Sequence, residues 1–175
     1  MSKSIVRKKL KELDITDKAQ KSEIICEKLI ASEEYVNARS IFVYLATDRE
    51  VNTDIIVQDA LARNKRVFVP ITTDVMRIAK INTKTQFGIK KFGIREPERP
   101  IFCDTTPDLS IIPLVGFDRG MNRLGHGAGY YDKWLEGRVT NKIALAFAEQ
   151  EVDNAYADVY DVKMDKIITD REILV

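Results

Sequence analysis

The segment Leu109–Leu135 reads LSIIPLVGFDRGMNRLGHGAGYYDKWL and gathers the groups best able to do chemistry. Gly125, Gly127 and Gly129 recur at every second position. Glycine lets the backbone take positive φ and approach a ligand closely. Successive N–H groups aimed into one concavity bind anions, and a helix start behind them adds partial positive charge. Arg123 and His126 flank these glycines, so the segment reads as a phosphate cradle. The spacing alone is unspecific. It fits neither the Walker GxxxxGK[ST] nor the dinucleotide GxGxxG pattern, and a flexible turn between strand and helix would look the same. Asp132 lies three residues past the last glycine, placed to hold Mg²⁺ beside phosphates. A carboxylate in a first helical turn is also favoured by the dipole alone. Asp161 and Asp165 would complete such a site or stay solvated. Lys3 and Arg7, four apart on one helix face, reach the same phosphates or belong to a solvated basic stretch. Glu50, in the loop ATDREVNT, would accept hydrogen bonds from a substrate rich in N–H groups, or is a surface acid near a helix start. Tyr130 and Tyr131 are core or rim residues, or one of them stacks on a flat heterocycle.

Elements must hold these groups in place. Residues 3–12 carry a short amphipathic helix pattern with Ile5, Val6 and Leu10. Thr16 or Asp17 caps a second helix running to about Ile30. SIFVYLA at 40–46 and RVFVPI at 66–71 are continuous apolar, β-branched runs, the mark of strands buried on both faces. A helix over 54–63 with Asn52 or Thr53 as cap lies between them. A weaker strand spans 75–81, and 82–108 is punctuated by Gly88, Gly93, Pro97, Pro100 and Pro107 as a turn-rich stretch. Further strands are expected at 109–115, 142–148 and 166–169, with a helix at 130–135. Strands alternating with helices predict an α/β protein, an open and largely parallel sheet with helices on both faces. Ligands of such sheets bind beyond the carboxyl ends of the strands, which puts loops 47–53, 116–130 and 149–161 around the site.

Composition narrows the class. A chain of 175 residues predicts one domain and buries roughly 70% of its unfolded surface. Hydrophobic residues make up 45% and charged residues 31%, which argues against disorder. Lys plus Arg is 28 against 27 Asp plus Glu, leaving a net charge of +1. A nucleic-acid partner is therefore not expected, since no basic excess exists to neutralise phosphates. No apolar run approaches the ~20 residues of a membrane span, and the basic N-terminus lacks a secretory pattern. Cys26 and Cys103 lie far apart beside apolar residues and read as buried thiols, so a cytoplasmic location is expected. With no long exposed apolar helix, so is a monomer.

Taken in order, these residues resemble the 5-formyltetrahydrofolate cyclo-ligase family, also called methenyltetrahydrofolate synthetase. PLVGFDRGMNRLGHGAGYYDKWL is similar to the family pattern P-x-x-x-F-D followed by R-L-G-x-G-x-G-Y-Y-D. Weaker matches are K-S-I-V-R at Lys3–Arg7, Y-L-A-T-D-R-E-V-N-T at Tyr44–Thr53, G-I-R-E-P at Gly93–Pro97 and D-V-K-M-D-K-I-I-T at Asp161–Thr169. The resemblance covers nearly the whole chain. It implies ATP- and Mg²⁺-dependent conversion of 5-formyltetrahydrofolate to 5,10-methenyltetrahydrofolate, with release of ADP and phosphate. It places ATP against Lys3, Ser4, Ile5, Val6 and Arg7, and against Arg123, Leu124, Gly125, His126, Gly127, Ala128, Gly129, Tyr130 and Tyr131. Arg123 is expected to be catalytic, stabilising phosphate. Asp132 and Asp161 match the metal positions, and Leu45, Glu50 and Tyr130 the folate contacts. His126 and Ala128 depart from the basic residue or further glycine that members often carry there. The rival readings are a folate- and nucleotide-binding module without turnover, and an ATP-independent enzyme acting on another phosphorylated substrate.

Overall fold

The computed structural model describes residues 2–175. In chain order the elements are α1 (Lys3–Lys11), α2 (Lys18–Ile30), α3 (Glu33–Asn37), β1 (Ser40–Val43), α4 (Asp54–Ala62), β2 (Arg66–Thr72) and β3 (Met76–Ile81). Then come β4 (Phe87–Ile89), β5 (Arg95–Pro97), β6 (Ile101–Cys103), β7 (Leu109–Ile112), β8 (Gly116–Phe117), β9 (Arg123–Leu124), α5 (Tyr130–Leu135), β10 (Asn141–Leu145), β11 (Lys166–Ile168) and β12 (Ile173–Leu174).

Eight strands form one sheet in the order β12-β11-β10-β7-β1-β2-β3-β6. Its centre, β11 to β2, is parallel. At the two margins the pairings β2–β3, β3–β6 and β11–β12 are antiparallel. The strands are apolar throughout because both faces are covered. Ile41, Val43, Val67, Val69, Leu109 and Ile111 point to one face, where Ile25 and Leu29 of α2 and Ile56 of α4 pack on them. Phe42, Phe68, Ile112, Ala144 and Ile167 point to the other, under Trp134 and Leu135 of α5. Phe42 stacks on Trp134 with ring centroids 4.7 Å apart.

The expected α/β sheet is present, with three local differences. Strands β1, β7 and β10 end earlier than their apolar runs, which continue past the strands as buried or half-buried chain at 44–46, 113–115 and 146–148, the first two reaching the cleft. The turn-rich stretch contains β4, β5 and the edge strand β6. Cys103 sits on that edge half-buried, whereas Cys26 is fully buried. The caps also differ in detail. Asp17 precedes α2 in the left-handed region (φ 55°) with no side-chain cap bond. Thr53 precedes α4 but donates its hydroxyl to the Tyr44 carbonyl at 2.6 Å, while Asn52 Oδ1 takes the Asp54 N–H at 2.8 Å. Together they tie the end of β1 to the start of α4.

The chain leaves β1 for β2 on one side and later returns to place β7 on the other. This reversal of strand order opens a crevice at the carboxyl ends of β1 and β7. Among the described residues no helix is long and apolar enough to cross a membrane.

Candidate active site

The crevice is a cleft of about 1610 Å³, walled by Tyr44, Leu45 and Thr47–Glu50 after β1, Pro113–Val115 after β7, and the loop Arg123–Lys133. Ligand pockets typically measure roughly 300–1,000 Å³, so there is room here for two small substrates.

The glycine loop forms its floor, and the glycines answer to different needs. Gly127 (φ +116°) and Gly129 (φ +70°) hold conformations that side chains resist. Gly125 lacks a side chain for a steric reason: a Cβ there would lie 2.8 Å from Arg123 Nη1. Helix α5, which follows, has six residues. Its contribution to an anion is therefore the free N–H groups of its first turn rather than a long aligned dipole.

Arg123 is 5% exposed. Its Nη2 donates to Asp132 Oδ1 at 2.9 Å, its guanidinium lies 5.8 Å from the Tyr131 ring centre, and its Nε–H has no partner among the described residues. Asp132 Oδ1 also takes the Val162 N–H at 3.1 Å, and Oδ2 accepts no hydrogen bond from the described residues. The expected phosphate ligand and the expected metal ligand are therefore partners of each other. Tyr131 packs on Phe42, and burial, with Glu50 nearby, pushes its phenol well above the ordinary range.

Helix α1 lies across the loop. Val6 is buried against Leu124 and Ala155. Of the stretch 3–7, Lys3 and Arg7 face the cleft, while Ser4 and Ile5 are exposed and Val6 packs beneath the helix. Lys3 Nζ donates to Asp158 at 2.7 Å and to Asp161. Burial would lower the Lys3 ammonium, but the Asp158 and Asp161 carboxylates outweigh it and raise it. Arg7 Nε donates to the Gly125 carbonyl at 2.7 Å, and no carboxylate among the described residues pairs with its guanidinium. Of Lys3, Arg7 and Arg123, Arg7 is thus the one that pairs with no carboxylate among the described residues. Of the contiguous stretch expected to bind nucleotide, two positions one helical turn apart line the cleft.

Glu50 is held on both oxygens. Oε2 takes the Thr47 N–H at 2.8 Å and the Thr47 hydroxyl at 3.2 Å, while Oε1 lies 3.0 Å from His126 Nε2. Leu45, nearly buried, lines the same wall, and Tyr130 stands opposite with its hydroxyl 3.4 Å from the Thr73 carbonyl. The site thus brings Lys3, Arg7, Leu45, Glu50, Arg123, the glycine loop, Tyr130, Tyr131, Asp132 and Asp161 to one cleft. Asp165 stays apart, pairing with Lys142 at 3.0 Å.

Three supporting residues escaped the sequence reading. Asp118 accepts hydrogen bonds from Gly120, Asn122 and the Ala155 N–H, tying the turn before β9 to the C-terminal segment. Burial would raise its carboxyl, but these bonds outweigh it and hold it below the usual value. Glu96 of the G-I-R-E-P run takes the Thr72 N–H at 3.0 Å, fixing the β4–β5 hairpin at the cleft rim. Asp158 shares Lys3 with Asp161. Only Asp118 had a local signal, an Asp followed two residues later by glycine, the pattern of an Asx turn.

Known proteins match along nearly the whole chain. The 5-formyltetrahydrofolate cyclo-ligase family matches residues 2–170. A 5-formyltetrahydrofolate cyclo-ligase of Mus musculus is 28% identical, over 93% of this chain and 89% of its own. A probable 5-formyltetrahydrofolate cyclo-ligase of Schizosaccharomyces pombe is 31% identical, over 86% and 84%. The 5,10-methenyltetrahydrofolate synthetase of Mycoplasma pneumoniae superposes with a TM-score of 0.75 at 27% identity, covering 97% of this chain and 99% of that one. The NMR structure of the Aquifex aeolicus synthetase gives 0.85 at 24% identity, covering 99% and 92%, a likeness of fold. The chain belongs to the 5-formyltetrahydrofolate cyclo-ligase family, and with it to the ligases.

Proposed function

We propose that the chain, as one domain, converts 5-formyltetrahydrofolate and ATP to 5,10-methenyltetrahydrofolate, ADP and phosphate, with Mg²⁺ required. The observation that carries this reading is the single cleft joining a cation-flanked glycine loop to an oriented acid, Glu50, over a volume large enough for both substrates.

The formamide oxygen of the substrate is a poor leaving group. Transfer of the γ-phosphoryl group to that oxygen forms an O–P bond and breaks the bond to ADP. N10 of the same molecule then attacks the activated carbon. Its proton is lost, the C–O bond breaks, phosphate departs and the methenyl bridge closes. The closure is intramolecular, which favours it strongly. Phosphoryl transfer asks of the protein positioning and charge stabilisation rather than covalent chemistry. The amides of 125–129 and Arg7 would meet the phosphates. Arg123, sealed beneath the loop, would act on them by its field and by fixing Asp132. Lys3 would face them after exchanging its carboxylates. Glu50 would accept the N–H groups of the pterin, with Leu45 and Tyr130 against its faces.

The residues fit a hard cation shared with phosphate. Mg²⁺ is typically held by one or two carboxylates, phosphate oxygens and waters, and Asp132 offers an oxygen that no donor among the described residues occupies, with Asp161 lining the same cleft. When bound, the ion would neutralise phosphate charge.

The test is growth of the near-ultraviolet band of the methenyl product. We expect growth that stops when ATP or Mg²⁺ is omitted, and a loss of at least a hundredfold for Asp132→Ala. Binding of both substrates without band growth would leave a silent binding module. Turnover without ATP would point to the other enzyme class.

A further inference from the structure

Two parts of the cleft that should serve different substrates are joined to each other. His126 belongs to the glycine loop, assigned above to nucleotide, and Glu50 to the wall assigned to folate. Their side chains meet at 3.0 Å, His126 Nε2 to Glu50 Oε1. The Glu50 side chain is only 8% exposed while the imidazole is 53% exposed. The acid is thus seated and the histidine is a visitor from solvent.

The rest of the Glu50 carboxylate is spoken for. Oε2 is fixed by Thr47, whose N–H and hydroxyl both donate to it. The phenols of Tyr44 and Tyr131, raised chiefly by burial and further by Glu50, lie nearby, but Tyr44 spends its hydroxyl on the Val51 carbonyl at 2.8 Å. An incoming N–H donor therefore gains Glu50 by taking Oε1, and Oε1 is where His126 sits. A carboxylate oxygen can accept twice, but the Glu50 side chain is only 8% exposed, and the imidazole at Oε1 stands in the way of a second donor from the cleft.

The loop is built to let go. Gly127 follows His126 at φ +116°, and Gly129 closes the turn at φ +70°, so backbone rotation meets no side-chain barrier there. Ala128 between them is exposed. The loop's start, immediately before His126, stays anchored through Arg7 on the Gly125 carbonyl and Arg123 behind Gly125, so the movement falls on 126–129. A short, exposed contact on a hinged segment is cheap to break and geometrically specific.

We propose that His126 is a specificity-determining gate, the occupant of the folate subsite in the empty enzyme. Reduced folate displaces it from Glu50, and the freed glycine loop is then available to wrap phosphate. The two substrates are coupled through this exchange, and by linkage each tightens the other by the same factor. The inference rests on the reading of Glu50 as the folate acid.

The test measures dissociation constants calorimetrically, with Mg²⁺ present, for 5-formyltetrahydrofolate and for a non-hydrolysable ATP analogue, each alone and with the other saturating. In the unaltered protein each ligand should tighten the other. In His126→Ala, folate alone should bind roughly three- to tenfold tighter, the worth of one exposed hydrogen bond to a charged acceptor. The coupling between the ligands should fall toward unity. A tighter variant cannot come from general damage to the fold, which would weaken binding. Folate affinity unchanged or weakened in His126→Ala overturns the gate. Glu50→Ala separates the two levels of the argument. If it abolishes folate binding while His126→Ala changes nothing, the gate alone fails. If Glu50→Ala leaves folate affinity intact, the folate assignment fails and the gate with it.

Discussion

Gly125→Ala tests the packing beneath the loop at one atom. The backbone at 125 is outside the left-handed region, so an added methyl brings no conformational strain of its own. It brings a collision instead, at 2.8 Å from Arg123 Nη1. A surface arginine would swing away at little cost. Arg123 is 5% exposed and bonded to Asp132 at 2.9 Å and to the Pro113 carbonyl at 3.4 Å. Its displacement stretches a largely buried ion pair, whose outright loss would cost about 3–5 kcal/mol. Since Asp132 keeps some solvent contact, about 2–3 kcal/mol is expected. For a chain of this length that lowers Tm by roughly 4–12 °C. Turnover should fall too, because the methyl disturbs Arg123 and, through it, the carboxylate assigned to metal. A thermal scan and the absorbance assay read both. Tm within about 1 °C of the original, with normal turnover, would refute the claim that Arg123 is locked under the loop.

Other outcomes follow from single residues. Asp118→Asn puts an amide donor where the Ala155 N–H donates at 3.0 Å, and should cost about 1–3 kcal/mol in urea unfolding at neutral pH. Because the Asp118 carboxyl is held below its ordinary value of 3.8, its stabilisation is present above that pH and is lost as pH falls through the lower folded value. The variant should accordingly show a flatter acid limb. Burial pushes the Cys26 thiol up to about 12 while Cys103 is half-buried, so a thiol reagent at pH 8 should titrate one cysteine in the native chain and two in urea. Phe92 holds φ 63° with its ring 91% exposed, a conformation costly for a bulky residue, so Phe92→Gly should raise stability by about 0.5–1 kcal/mol in the same urea experiment.

The parallel centre was legible because burial on both faces leaves no polar alternation. SIFV, RVFVPI and LSII announce strands whatever their neighbours are. The glycine loop was legible too, since GxGxG after a strand and before a helix constrains the backbone locally. What stayed hidden depends on partners distant in sequence. IFC at 101–103 becomes a strand because it finds the edge of β3. The antiparallel course of β3 follows from its pairing with β2, not from its own residues. In the site, residue types were readable but pairings were not. Nothing local says that Arg123 spends a nitrogen on Asp132, that Lys3 is held by Asp158 and Asp161, or that His126 reaches Glu50 across 76 positions.

The placement of α1 has a temporal side. Lys3 is synthesised 155 positions before its partner Asp158. At roughly 5–20 residues per second, about 8–30 s of translation separate the two. A nine-residue helix is too short to persist alone in water, so until then Val6 and Leu10 lack the surface that buries them. Lys3 and Arg7, the cations assigned above to nucleotide, are therefore made well before the groups that seat them. A ribosome paused before the 158–161 turn should display a chain whose α1 is still loose and exposed to proteases, with β11 and β12 yet to join the sheet.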